Sequence, residues 1–206
     1  MKRLILIGNK EIFTDISPII NSFDYVFRIK RMNNFEYTGE RIDGIFLGIY
    51  GDYVNIYKGG PYVDKLKTAG QIFMTPLMKH HRSLSTWTKW ISAKQYNNIG
   101  LIDFDKYRKN FNHYCICTSL RVLNHLISEE AWYSEYEIWF CCLDVEGRAK
   151  LLMTGEPWKD TNHSSSRAAE CEEAWLLDKL KSGKLRRLGD DGKEISYFNN
   201  SEGRID

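Results

Sequence analysis

His163 closes a polar loop and stands directly before a helical stretch over 164–181. A neutral imidazole there can take a proton from a hydroxyl near pH 7, and the helix N-terminus disfavours its charged form. The same position also suits a plain surface or capping histidine. Ser164, Ser165 and Ser166 follow it, but a nucleophile and its base are brought together by the fold and not by adjacency, so no hydrolase triad is read. Glu173 shares a helix face with Ala169, Leu176, Leu177 and Leu180, where a carboxylate is costly to bury unless paired. It ties that helix to the sheet, orients the histidine, or lies solvated at the edge of the stripe.

Thr118 and Ser119 open a second helical stretch, TSLRVLNHLISEEAW, with Val122, Leu123, Leu126 and Ile127 at helical spacing. Hydroxyls and backbone N–H groups at a helix start can receive an anion, or simply cap the helix. Asp103-Phe104-Asp105 has the D-x-D form that can hold a metal with a nucleotide diphosphate, yet it runs into the basic stretch DKYRKN. Nothing near His80-His81 completes a ligand set. No metal is expected.

These groups need a frame. Leu4-Ile5-Leu6-Ile7 is an unbroken apolar run ending at Gly8-Asn9, the pattern of a strand buried on both faces of a parallel sheet. Ligands of such sheets lie beyond the carboxyl ends of the strands, where glycine admits a phosphate close to the backbone and Asn9 adds a donor and an acceptor. Further strands are expected at Phe23–Arg31, Asp43–Tyr50, Gln71–Thr75, Ile99–Asp103, Glu137–Leu143 and Lys184–Leu188, with helices at Thr14–Ser22 and after Gly59-Gly60-Pro61. Residues 77–97, with Trp87 and Trp90, suggest a mobile, lid-like helical insertion. The alternation of strand and helix predicts a single α/β sandwich over 1–188, with a mostly parallel sheet flanked by helices. Residues 189–206 read as a frayed polar tail or surface hairpin.

The 206 residues suit one such domain, and 43% hydrophobic content supports a substantial core. A net charge of +2 gives no field that argues for nucleic acid. Five cysteines without a C-x-x-C repeat, and no signal peptide, predict reduced thiols in a cytoplasmic protein. No apolar run approaches the ~18 residues of a membrane span.

Taken in order, LILIGN, FDYVFRIK, Thr118-Ser119-Leu120, IWFCCLD and NHSSSRAAECEEAWLLDKL resemble the bacterial sialyltransferases of glycosyltransferase family 42. They also carry a fainter echo of the animal sialyltransferase motifs. The resemblance runs over most of residues 1–188. It implies a Rossmann-like, GT-A-variant fold and an inverting, metal-independent transfer from a CMP-sugar to a glycan or glycolipid acceptor, with no cofactor. Carried onto this chain, Gly8, Asn9, Arg28 and Lys30 belong to the substrate- and nucleotide-binding set, with Asn9 contacting the donor nucleotide and Arg28 supporting the end of the second strand, and Thr118 and Ser119 lie near phosphate or sugar. Asp144 helps to bind cytidine or ribose, Glu173 supports, and His163 is the general base.

The chain departs from the family pattern at Lys10-Glu11, where a small turn follows Gly-Asn, at Lys30 in place of Asn, and at Leu120 in place of Gly. Tyrosines of the kind that hold the phosphate are missing from Val145 to Asn162. These departures suit a different donor or a site that no longer turns over. Two other readings therefore stand beside transfer: a nucleotide-binding protein on the same scaffold, and a Rossmann-like nucleotide enzyme such as a methyltransferase. Peripheral membrane association and oligomeric state stay open.

Overall fold

The computed structural model describes residues 1–29, 34–47, 61–76, 79, 84–103, 106–107, 117–128, 133–143 and 166–195. Strands β1 (Lys2–Ile7), β2 (Tyr25–Ile29), β3 (Gly44–Phe46), β4 (Gln71–Met74), β5 (Gly100–Leu101), β6 (Tyr136–Cys141) and β7 (Arg186–Arg187) form one sheet. Their order is β5-β4-β3-β2-β1-β6-β7, and every ladder is parallel. Helices α1 (Ser17–Asn21), α2 (Phe35–Thr38), α3 (Pro61–Thr68), α4 (Leu84–Trp87), α5 (Ala93–Asn97), α6 (Thr118–Ser128) and α7 (Ser166–Lys181) flank it. The chain is an α/β protein of Rossmann-like architecture, as the alternation predicts.

Strands β1 to β4 and β6 feed cores on both faces because successive side chains point to opposite sides. Leu4, Leu6, Phe27, Ile29, Phe46, Phe73, Ile138 and Phe140 line one face and pack with Leu120, Leu123 and Leu126 of α6 and Leu176 of α7. Ile5, Ile7, Val26, Trp139 and Cys141 line the other, under Ile12, Ile16 and Ile20. Farther along that face, Ile45, Ile72 and Met74 meet Leu66 of α3 and Trp87, Trp90 and Ile91. The run Leu4–Ile7 is wholly buried, which is why it carries no polar alternation.

On the α6 face the rings of Phe46 and Phe73 stack with centroids 4.7 Å apart, and Phe27 meets Phe46 edge-on at 5.7 Å. The register sets Phe27 beside Gly44 and Phe73 beside Gly100. A Cβ on either glycine would press into the neighbouring ring, so glycine leaves room for the phenyl group.

Trp87 and Trp90 are in the core, with ring centroids 5.5 Å apart, and Ser92 and Gln95 close a capping box at the start of α5. The Gln95 amide donates to the carbonyls of Leu66, Lys67 and Ala69 at the end of α3. The described part of 77–97 is thus packed against the sheet as a flanking layer; His80 and His81 lie outside the described residues. The start of the expected tail is a tight turn, closed by a bridge between Leu188 and Glu194 and by the Gly189 N–H to the Lys193 carbonyl at 2.7 Å. Short α2 was not expected from periodicity: it has only four residues and no apolar stripe of its own. No described helix is long and apolar enough to cross a membrane.

Candidate functional site

Starting from β1, the chain moves outward through β2 to β5, then returns to place β6 on the other side of β1. The order reverses between β1 and β6. In open parallel sheets the strand exits on either side of such a reversal frame the crevice in which ligands bind. Here those exits are Gly8-Asn9 and Cys142-Leu143.

The two exits are tied together. The Gly8 N–H donates to the Cys141 carbonyl at 3.0 Å and the Lys10 N–H to the Cys142 carbonyl at 2.9 Å, extending the parallel ladder past both strands. Cys142 turns the chain with φ of 55°, a left-handed conformation uncommon for a residue with a side chain. A Cβ on Gly8 would collide with the Cys142 carbonyl oxygen and the Leu143 side chain. The β6 exit is therefore a close neighbour that by itself requires glycine at this position. The Cys141 and Cys142 sulfurs are 3.6 Å apart, and this contact together with burial pushes the Cys141 thiol well up.

The loop after Asn9 is also clamped. Asn34, held at φ of 66°, donates its amide to the Lys10 carbonyl at 2.6 Å and accepts from the Ile12 N–H at 3.4 Å. The Lys10 ammonium pairs with Asp190 at 2.7 Å and so joins the β1 loop to the turn after β7. Asn9 itself is half-buried at the crevice.

Arg28 points to the α1/α2 side of the sheet and is 1% exposed. Its Nε donates to the Arg41 carbonyl at 2.9 Å, Nη1 to the Thr38 hydroxyl at 3.0 Å, and Nη2 to the carbonyls of Thr38 and Gly39. The guanidinium also lies 4.6 Å from the Phe35 ring centroid. Burial lowers its pKa to about 10, leaving it charged at neutral pH. Those four donors hold the 34–41 segment onto β2. Arg28 is thus engaged within the protein, bracing β2 against the 34–41 segment.

Thr118 and Ser119 form the first turn of α6, half-buried. The far end of α6 packs against the 3-10 turn Tyr133–Glu135 that feeds β6, so its N-terminus lies toward the carboxyl edge. Leu120 and Leu143 both belong to the core on this face of the sheet.

The buried acid of α7 is Glu172, not Glu173. Glu172 is 1% exposed and its Oε1 accepts from the Cys117 N–H at 2.6 Å, at the entrance to α6. Glu173, its neighbour, is half-buried. The packed face of α7 runs through Leu176 and Leu180, both in the expected stripe, and takes in Glu172 in place of Glu173.

The sequence reading also missed His125, 9% exposed, whose Nδ1 lies 2.8 Å from the Tyr107 hydroxyl. A histidine amid LNHLIS carries no local signal beyond its place in an apolar helix. Lys30, Asp144 and His163 lie outside the described residues. Among the described residues, no group of three or more His, Cys, Asp or Glu side chains is placed to hold a metal ion.

Comparison with known protein families finds no family that matches the chain, and comparison with curated proteins finds no match either.

Proposed function

We propose that this protein binds a CMP-type nucleotide sugar at the carboxyl edge between β1 and β6 and transfers the sugar to a glycan or glycolipid hydroxyl. The observation that carries the reading is the reversal of strand order between β1 and β6, with Gly8-Asn9 on one side and the Leu143 exit on the other. The resemblance of the ordered motifs to sialyltransferases supplies the donor class.

In this reading the first turn of α6 receives the anionic part of the donor, since its N–H groups and the hydroxyls of Thr118 and Ser119 offer donors. His163 takes the proton of the acceptor hydroxyl. The oxygen attacks the anomeric carbon from the face opposite the nucleotide, and the bond to the CMP phosphate oxygen breaks with inversion. Hydrogen bonds to the departing phosphate stabilise the charge that develops on it. Asp144 assists at cytidine or ribose.

The packing of Gly8 against Cys142 speaks against the methyltransferase alternative, in which a glycine-rich first loop leaves its backbone open to the cofactor. Thermal stabilisation measured with CMP, CMP-sialic acid, UDP-sugars and S-adenosylmethionine tests the assignment. Stabilisation by CMP that survives EDTA supports it; stabilisation by S-adenosylmethionine alone overturns it. CMP binding without turnover of any donor makes this a nucleotide-binding protein on the same scaffold.

A further inference from the structure

Neighbouring residues of a strand normally send their side chains to opposite faces of the sheet. Cys141 and Cys142 do not. Cys141 ends β6 on the α1 face, and the left-handed backbone of Cys142, with φ of 55°, returns the next side chain to that same face. Both thiols are buried in one cluster with Ile7, Ile12 and Ile16, and their sulfurs lie 3.6 Å apart. A conformation that residues with side chains rarely adopt thus brings two sulfurs into contact. Nothing in the proposed transfer uses either of them.

The register adds a charge. Arg28, Ile7 and Cys141 stand in one row across β2, β1 and β6, so the buried guanidinium shares the face of the two thiols. Its interaction reaches Cys142 as well as Cys141. A cation near a thiol favours the thiolate, which is the form that reacts. At Cys141 the contact with Cys142 and burial prevail over that charge, aided by the Asp190 carboxylate that Lys10 pairs, and the thiol keeps its proton. Cys142 is therefore the sulfur that reacts first.

We propose that Cys141 and Cys142 form a reversible modification site, which a hydroperoxide oxidises to a vicinal disulfide that loosens the joined exits of β1 and β6. The bridge does not depend on the proposed nucleotide binding; only its effect on that binding does. Burial excludes bulky oxidants and suits a small neutral peroxide. The Cys142 thiolate attacks one peroxide oxygen, and the O–O bond breaks. The hydroxide released takes up the proton that Cys142 gave up and leaves as water. The Cys141 sulfur then attacks the sulfenic sulfur of Cys142, the S–O bond breaks, and the oxygen leaves with the Cys141 proton as a second water. The two thiols lose two electrons, and the peroxide gains them.

Closure draws the sulfurs from 3.6 Å to about 2.05 Å, on Cα atoms only about 3.8 Å apart where disulfides usually span about 4.4–6.8 Å. The backbone between the two residues must turn to allow it. That backbone carries the Cys141 carbonyl, which accepts from the Gly8 N–H, and the Cys142 carbonyl, which accepts from the Lys10 N–H and abuts Gly8. Oxidation therefore acts where the strand order reverses. A ring so tight is also readily reduced, so a dithiol reverses the change.

The test treats the folded protein with equimolar hydrogen peroxide, blocks remaining thiols with an alkylating agent, and reads peptides by mass spectrometry. The peptide holding Cys141 and Cys142 is expected to lose the mass of two hydrogens, to escape alkylation, and to recover both thiols with dithiothreitol. Amide hydrogen exchange at Gly8 and Lys10 should quicken at least about tenfold in the oxidised protein, with Leu6 unmoved. CMP should bind the oxidised protein at least about tenfold more weakly. Peroxide should leave the CMP affinity of Cys142→Ala unchanged, or that of Cys141→Ala if the first variant does not fold.

A bridge from Cys142 to Cys115, Cys117 or Cys171, or a sulfinic acid without a bridge, overturns the proposal. So do thiols that stay reduced in the folded protein under peroxide that oxidises the unfolded chain. A Cys141–Cys142 bridge that leaves the Gly8 and Lys10 amides unchanged overturns the link to the strand exits. A bridge with faster exchange, in a protein that binds CMP in neither state, upholds the site and removes the nucleotide reading.

Discussion

The α-carbon of Gly8 lies directly against the carbonyl of Cys142, across the point at which the strand order reverses. Alanine there would force apart the two exits that the Gly8 and Lys10 N–H bonds hold together. Gly8→Ala is expected to cost about 1–3 kcal/mol, the usual range for overpacking a tight interior. Urea denaturation checks it. An unchanged midpoint with weakened CMP binding would restore the phosphate-approach role for this glycine.

Arg28 should behave as a structural cation. Arg28→Met leaves the carbonyls of Thr38, Gly39 and Arg41 without their donor, and is expected to lose about 3 kcal/mol. Arg28→Lys recovers little, because one ammonium cannot reach the same set of acceptors as the planar fork. Equilibrium unfolding of the pair distinguishes this from a ligand contact, which would lower affinity at constant stability.

The Asn34 clamp should hold the β1 loop. Asn34→Gly keeps the left-handed backbone at φ of 66° accessible but deletes both side-chain bonds to Lys10 and Ile12. About 1–2 kcal/mol of stability and the hydrogen-exchange protection of the Ile12 amide are expected to go with them. Protection that persists would refute the clamp.

Two adjacent carboxylates should separate cleanly. Glu172→Ala removes the acceptor of the Cys117 N–H from a site 1% exposed and is expected to cost about 2 kcal/mol or more. Glu173→Ala should stay within about 0.5 kcal/mol, as substitutions away from buried networks do. Comparable losses at both positions would show that the face of α7 is misassigned.

Glu40 offers a titration. Its hydrogen bond to Lys65, at 2.6 Å, holds its carboxyl below the ordinary value, and the Lys65 ammonium lies 3.8 Å from the Phe35 ring centroid. A lowered folded-state pKa contributes stability above the unfolded carboxylate value, lost as pH falls through the folded one. Lys65→Met should therefore move the Glu40 titration upward in a carboxyl-detected NMR experiment. A midpoint that stays put would place the cause elsewhere.

The sheet was legible because its signal is local. Leu4–Ile7, YVFRI, QIFM and IWFC announce buried strands by apolar content alone, and the helix of Thr118–Ser128 by its spacing. What was not legible depends on distant partners. Glu172 and Glu173 differ by one helical step, and only the position of Cys117 decides which is buried. Gly8 is explained by Cys142, and Arg28 by a short helix whose four residues carry no periodicity. Trp87 and Trp90 suggested a lid because their partners on β3 and β4 lie outside their own segment.

The β1–β6 pairing also has a consequence for how the protein is made. β2 follows β1 closely in the chain and pairs along one side of it, but on the other side Lys2 pairs with Tyr136, far along the chain. Until β6 emerges, one hydrogen-bonding edge of β1, with its apolar run Leu4–Ile7, stays open, the kind of edge that recruits foreign strands. Such distant pairings also slow folding, since a long loop must close before they contribute. The chain is therefore most exposed to aggregation on the ribosome, between completion of its first half and arrival of Ile138-Trp139-Phe140.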